Sequence, residues 1–268
     1  MIGLFDSGLG GLTVIRRIRE RLPSADIVYF ADQAHVPYGD RDPEELLELL
    51  AANLAWIDAA GADAIVMACN TSCAIGERYG WPSTRAPILD IIDSAATAVQ
   101  RAGHRRIGVI ATAATVSAGS YGRTLRSAVP GAEVWEVAAP RLVPMIEAGR
   151  ITGSEPRAAV TAVCRRLPKD LDAVIYGCTH YPVLEPQFAA ALGRGVALVD
   201  PAVMQAERAA ALMLGRELAE EAGTTRYVTS GDPVAFKANI ARLIGDPAPH
   251  VEAIIGFRRG KDRRRASS

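Results

Sequence analysis

The stretch DAIVMACNTSC, residues 63–73, decides how this chain is read. Ile65, Val66, Met67 and Ala68 form an apolar run that stops abruptly at Cys69, Asn70 and Thr71. A short continuous apolar run with polar residues at both ends is the pattern of a strand buried on both faces. A second stretch, DAVIYGCTHYP at 172–182, repeats the arrangement: Asp-Ala, an apolar strand, then a Cys with a Thr close behind. In open α/β sheets ligands bind outside the carboxyl ends of the strands, so both thiols stand where a site would form.

Outward from these stretches, strands and helices alternate. IGLF (2–5) and IVYF (27–30) read as strands. Between them, Leu12, Ile15, Ile18 and Leu22 have helical spacing, and Pro23 stops the helix. DPEELLELLAANLAWIDAAG (42–61) reads as a helix with Asp42 as cap, Pro43 in the first turn and Gly61 at its end. The pattern restarts at RRIGVIATAATV (105–116) and continues through EVWEVAAP (133–140), AVIYG (173–177) and VALVD (196–200). Ile107 lies 105 residues after Ile2, and Cys178 lies 109 after Cys69; two offsets so close indicate a duplicated half. The expected fold is α/β: two pseudo-symmetric doubly wound domains with mainly parallel sheets and the active site in the cleft between them. A helix over 206–221 and a strand in RYVTSGD (226–232) are expected to return to the first half. The first domain is then 1–95 plus 206–257, discontinuous, and the second is 96–205. RRGKDRRRASS (258–268) is basic, has no apolar face, and is expected to be a disordered tail.

Composition narrows the function classes. The chain has 268 residues, 49% of them hydrophobic, enough for one large or two small packed domains. Thirty basic residues balance thirty acidic ones, so no global field favours nucleic acid or an acidic membrane. No apolar run approaches the ~20 residues of a membrane helix. MIGLFDSG (1–8) lacks a basic region and puts Asp6 where a signal peptide would be apolar, so a cytoplasmic location is expected. In that reducing compartment Cys69, Cys73, Cys164 and Cys178 are more often catalytic or metal-binding than disulfide-bonded.

Three expected strand ends carry polar or reactive groups: Asp6-Ser7, Cys69-Asn70-Thr71 and Cys178-Thr179-His180. If a pseudo-twofold axis relates the halves, Cys69 and Cys178 face each other across the cleft. Two opposed sulfurs, one thiolate and one thiol, suit the inversion of a tetrahedral carbon: one removes a proton and the other returns one to the opposite face. A free Cys has a pKa near 8.5, which a helix N-terminus or a cation lowers. Two rival readings are weaker. GLGGLT (8–13) follows a strand and opens a helix, with Asp32 placed for a ribose, but Thr13 replaces the third glycine of a dinucleotide turn and Asp6 would repel a pyrophosphate. Cys69, Cys73, Cys178 and His180 could supply four zinc ligands, but no C-x-x-C pair exists and Asn70-Thr71 would have no role in a closed site. Cys164, on the helical stretch EPRAAVTAVCRRL (155–167), reads as packing.

Five ordered blocks, FDSGLGGLTV (5–14), VPYGDR (36–41), ACNTSCA (68–74), LVPMIEAG (142–149) and GCTHYPVL (177–184), resemble those of the glutamate racemase family, in the aspartate/glutamate racemase superfamily. The likeness spans residues 2–255 or so. It implies cofactor-independent and metal-free interconversion of L- and D-glutamate for peptidoglycan synthesis, commonly by a homodimer. By the same resemblance, Cys178 takes the proton of L-glutamate and Cys69 that of D-glutamate. Asp6 and Ser7 meet the ammonium, with Asp6 also near Cys69. Asn70, Thr71 and Thr179 hold the α-carboxylate, His180 and Glu147 assist Cys178, and Tyr38 and Gly39 offer backbone N–H groups to the side-chain carboxylate. The chemistry agrees: a carbanion beside a carboxylate resembles an enediolate, which fixed Asn and Thr donors stabilise, and His180 stands two residues from Cys178, within reach of its proton. Ser72, Cys73, Asp93 and Ala118 depart from the family pattern. The last lies in TVSAGSY (115–121), expected as a loop near the cleft, which leaves aspartate or another amino acid as the alternative substrate.

Overall fold

The computed structural model describes residues 1–215 and 221–254. The first half runs β1 (Ile2–Asp6), α1 (Gly11–Arg21), β2 (Ile27–Ala31), α2 (Pro43–Ala59), β3 (Ala64–Met67), α3 (Asn70–Tyr79), β4 (Ile88–Asp90) and α4 (Ile91–Ala102). The second runs β5 (Arg106–Ala111), α5 (Ala113–Ala118), α6 (Ser120–Ala128), β6 (Glu133–Ala138), α7 (Leu142–Glu147), α8 (Ser154–Cys164), β7 (Ala173–Gly177), α9 (Glu185–Leu192), β8 (Ala197–Val199) and α10 (Pro201–Met213). β9 (Thr225–Thr229), α11 (Pro233–Ile244) and β10 (His250–Ala253) close the described chain.

The strands form two sheets, ordered β10-β9-β2-β1-β3-β4 and β6-β5-β7-β8, and every pairing is parallel. Every residue of β1, β2, β3 and β7 is buried, as parallel strands covered by helices on both faces require. The two sheets share one plan, because β2-β1-β3-β4 and β6-β5-β7-β8 place corresponding strands in the same order. The register carries the same relation. Ile2 pairs with Ala64, and Ile107 with Ala173, so the offsets are 105 and 109 residues in matching strands. The duplication legible in the sequence is therefore a duplication of sheet topology.

β9 pairs with β2, Tyr29 opposite Tyr227, and β10 pairs with β9, so the chain after residue 224 adds its strands to the first sheet. The expected helix over 206–221 instead begins at Pro201. Asp200 accepts a hydrogen bond from Ala202 N, and Pro201 fits the first turn because it has no N–H to satisfy there. This helix ends at Met213, and residues 216–220 lie outside the described ones, as does the basic stretch 258–268. α4 and α10, which contain the positions 95/96 and 205/206, pack against each other. β4 and β10, of 3 and 4 residues, were not expected: neither carries the apolar run that reveals the longer strands.

One apolar core packs around Phe5, Tyr29, Phe30 and Ile57; a second gathers Tyr176, Tyr181 and Phe188 beneath β7. Cys164 is buried in this second core, as expected of a packing residue.

Candidate active site

The carboxyl ends of β1 and β3 in one sheet and of β5 and β7 in the other open into a single cavity. Asp6 and Ser7 enter it after β1, Cys69, Asn70 and Thr71 at the junction of β3 and α3, and Cys178, Thr179 and His180 after β7. Glu147, the last residue of α7, and the turn holding Tyr38 and Gly39 complete the wall. All eleven residues singled out from the sequence thus line one space. The two sulfurs reach it from corresponding strands of the two sheets.

The two thiols have unlike neighbours. Cys69 is the cap residue of α3, and its Sγ–H donates to Ser7 Oγ at 3.4 Å, which in turn donates to Asp6 Oδ1 at 3.3 Å. Burial, reinforced by the negative charge of Asp6, pushes the Cys69 thiol up to about 11. Cys178 Sγ instead lies 3.7 Å from Nδ1 of His180, and Nε2 of the same ring lies 3.1 Å from Glu147 Oε1. Burial opposes a charged imidazole, but hydrogen bonds to Cys178 and Glu147 and the charges of Cys178 and Asp6 outweigh it. His180 is held well above its ordinary range. His180 is therefore not a solvated loop residue: it is buried and joins a sulfur to a carboxylate.

Asp6 is 1% exposed. Its Oδ1 accepts from Gly8 N at 2.9 Å and its Oδ2 from Thr179 Oγ1 at 3.1 Å, so it ties the two halves together. Asp6 does not cap α1, which starts at Gly11; it satisfies the turn before the helix. Burial raises its pKa, against the pull of His180, Gly8, Thr179 and Ser7.

Asn70 Oδ1 accepts from Tyr121 Oη at 2.6 Å. Thr71 Oγ1 sits 3.1 Å from Thr112 Oγ1 and 3.4 Å from Thr115 Oγ1. Thr112 lines the cavity and was missed in the sequence, although the offset of 105 residues maps it onto Ser7. TVSAGSY is not a loop. It spans the end of α5, a left-handed Gly119 and the start of α6. Ala118 is buried and outside the cavity wall; this stretch reaches the site through Thr115 and Tyr121.

The side chain of Tyr38 is buried against Asp32, which accepts its phenolic proton, so it is the turn at Tyr38 and Gly39 that faces the cavity. Asp32 also accepts from His35 Nδ1 at 2.7 Å and Ser230 Oγ at 2.6 Å and is fully buried. Its acceptor positions are engaged inside the protein, which removes it as a ribose ligand. The four-ligand zinc reading fails on geometry as well. Cys73 lies outside the cavity wall and donates to the Met67 carbonyl at 3.5 Å.

This site and fold have close parallels among known proteins. The family model for Asp/Glu/Hydantoin racemases matches residues 10–209. The glutamate racemase of Gloeobacter violaceus is 44% identical over 256 residues, covering 95% of this chain and 96% of that protein. That of Desulforudis audaxviator is 39% identical over 266 residues, 95% and 97% of the two chains. The crystal structure of the Francisella tularensis glutamate racemase in complex with D-glutamate superposes with a TM-score of 0.86 at 28% identity, over 95% and 97% of the two chains. Full-length likeness of this degree, on a cavity walled by the same motifs that suggested it, places the chain in the Asp/Glu/hydantoin racemase family, among its glutamate racemases.

Proposed function

We propose that the protein interconverts L- and D-glutamate by two proton transfers at Cα, with Cys178 and Cys69 as the paired acid and base. The observation that supports this most directly is that both sulfurs line one cavity from corresponding strand ends, β3 and β7, of two sheets built to the same plan. The walls then belong to two domains, divided within α4 and α10.

In this reading the substrate ammonium lies at Asp6 and Ser7, and the α-carboxylate at Asn70, Thr71, Thr179 and the N-terminal turn of α3. The side-chain carboxylate lies at the backbone of Tyr38 and Gly39. From L-glutamate, the Cys178 thiolate takes the Cα proton and becomes a thiol. The carbanion is held as an enediolate, and the Cys69 thiol delivers a proton to the opposite face and becomes a thiolate. The enzyme is then charged for the reverse direction, so one proton moves across the site per turnover. A protonated His180, braced by Glu147, places positive charge 3.7 Å from the Cys178 sulfur when it must be a thiolate. At Cys69 the thiol form is favoured by burial and Asp6. The substrate ammonium offsets the Asp6 charge and eases the thiolate when D-glutamate binds.

Aspartate is one methylene shorter and cannot hold both carboxylates at these anchors at once. The same proposal places the protein in the cytoplasm as a homodimer supplying D-glutamate for peptidoglycan. Among the described residues no helix is long and apolar enough to cross a membrane. Light scattering on the purified protein tests the dimer. Racemisation in deuterated water tests the chemistry. Cys69→Ser and Cys178→Ser should each lose at least ~10²-fold in turnover, because each face needs its own acid–base group. Full activity in either variant ends the two-base proposal.

A further inference from the structure

Asn70 stands in the first turn of α3 and lines the cavity, but only one side of its amide is satisfied. Oδ1 takes the 2.6 Å hydrogen bond from Tyr121 Oη, while Nδ2, buried, finds no acceptor among the described residues. Tyr121 is fully buried in α6, across the cleft from α3, and among the described residues Asn70 is the one hydrogen-bond partner of its hydroxyl. A phenol has a single proton, and in a buried site that proton needs an acceptor. Burial, with the charges of Asp90 and Cys73 adding to it, holds the Tyr121 phenol well above its ordinary range, so it stays a donor at working pH.

The amide is therefore not free to choose its orientation. With its oxygen pinned by a donor, its NH2 is turned to the side opposite the phenol. A buried NH2 that meets no acceptor from the protein is unfavourable, and an anionic ligand relieves it. Reversing the amide would strand the phenolic proton and present an oxygen to a carboxylate.

We propose that Tyr121 is a positioning residue for the racemisation: it locks the Asn70 amide so that N–H groups, and not oxygen, meet the substrate α-carboxylate. This rests on the reading of Asn70 as a carboxylate ligand. Negative charge on the carboxylate oxygens grows as Cα loses its proton, so donors fixed beforehand stabilise the enediolate more than the substrate. Losing the lock should therefore lower kcat as well as raise KM.

A double-mutant cycle separates this from simple packing. Tyr121→Phe keeps the ring and removes only the hydroxyl; Asn70→Ala removes the group it orients. Glutamate racemisation is measured for wild type, both single variants and the double variant, alongside their thermal melting. The expected result is a fall of about tenfold in kcat/KM for Tyr121→Phe in the wild-type background and under about twofold on Asn70→Ala, the signature of two residues acting as one. Tyr121→Phe should lower the melting temperature less on Asn70→Ala than in the wild-type background, because there the phenolic proton already lacks its acceptor, and all rates are taken well below both melting temperatures. Equal catalytic losses in both backgrounds overturn the proposal, since the hydroxyl then acts independently of Asn70; so does full activity of Tyr121→Phe beside a crippled Asn70→Ala. If Asn70→Ala itself keeps kcat/KM within about twofold of wild type, the reading of Asn70 as a carboxylate ligand fails first, and the proposal with it.

Discussion

Cys178 has the imidazole of His180 beside its sulfur, whereas Cys69 has the Ser7 hydroxyl and, behind it, the Asp6 carboxylate. This asymmetry gives the first prediction. Glu147 braces Nε2 of His180, and part of the raised His180 pKa comes from that contact. A raised pKa means that the ring stays charged to higher pH, so Glu147→Gln should move its loss of charge downward, toward the ordinary value near 6.5. The basic limb of the pH profile of kcat/KM should shift to lower pH, with about a tenfold loss at pH 8. A variant whose profile matches wild type would remove Glu147 from the relay. L- and D-glutamate have equal free energies, so kcat/KM must stay equal in the two directions in every variant, which provides an internal check. At this scale the repeat made much of the site legible: the offset of 109 joins Cys69 to Cys178, and the offset of 105 joins Ser7 to the overlooked Thr112. Tyr121 was out of reach, because its link to Asn70 bridges 51 residues and leaves no local pattern.

Elements meet closely where the first half touches the second, and a glycine makes that possible. A Cβ on Gly10 would fall 2.1 Å from Thr179 Oγ1 and 2.8 Å from His180 Nδ1. Its backbone is ordinary right-handed helical, so the requirement is space and not conformation. Gly10→Ala should force the start of α1 away from the end of β7 and disturb Thr179 and His180 together. We expect kcat/KM to fall at least ~10²-fold for a stability loss of about 1–3 kcal/mol. Near-normal turnover would show that the two elements can separate without harm to the site. The start of α4 gives a prediction in pH. Asp90 caps it through Ile92 N at 2.5 Å, and burial followed by the charge of Asp93 raises its pKa to about 6. A raised folded-state value favours the protonated carboxyl in the native protein. Its contribution to stability is thus complete below the ordinary value of 3.8 and lost as the pH rises through about 6. Asp90→Asn has no such loss, so its stability relative to wild type should improve by about 2–3 kcal/mol between pH 4 and pH 7 in urea melts. A difference that does not change with pH would sink this assignment. The strands of this chain were legible where an apolar run was long enough. β4 and β10 are too short to announce themselves, and α10 starts five residues before its expected position because the Asp200 cap and Pro201, not the apolar spacing, set its first turn.

Over the whole molecule, the site exists only where two sheets present the ends of corresponding strands to each other. Several side-chain bonds cross it among the described residues. Thr179 Oγ1 reaches Asp6, Thr13 Oγ1 reaches the Thr179 carbonyl at 3.2 Å, Tyr121 reaches Asn70 and Thr112 reaches Thr71. A substrate that contacts Asp6 and Asn70 on one side and Thr179 on the other adds further bridges of the same kind. It binds the folded protein and not the unfolded chain, so it must raise the melting temperature. The repeated strand pattern made this two-sheet plan readable, but it could not give the spacing between the sheets, which depends on side chains packed between distant segments. That spacing decides how well a ligand of given length connects the walls. For Cys69→Ser, whose turnover should be at least ~10²-fold lower, D-glutamate at one hundred times its Kd should add about 2.7 kcal/mol of stability, or about 5–10 °C in melting temperature. L-aspartate at the same concentration should add far less, because with its α-carboxylate in place its second carboxylate stops one methylene short of the turn at Tyr38 and Gly39. A shift from aspartate as large as that from glutamate would mean that the distal carboxylate has no anchor in that turn, and the assignment of glutamate as the substrate would fall with it.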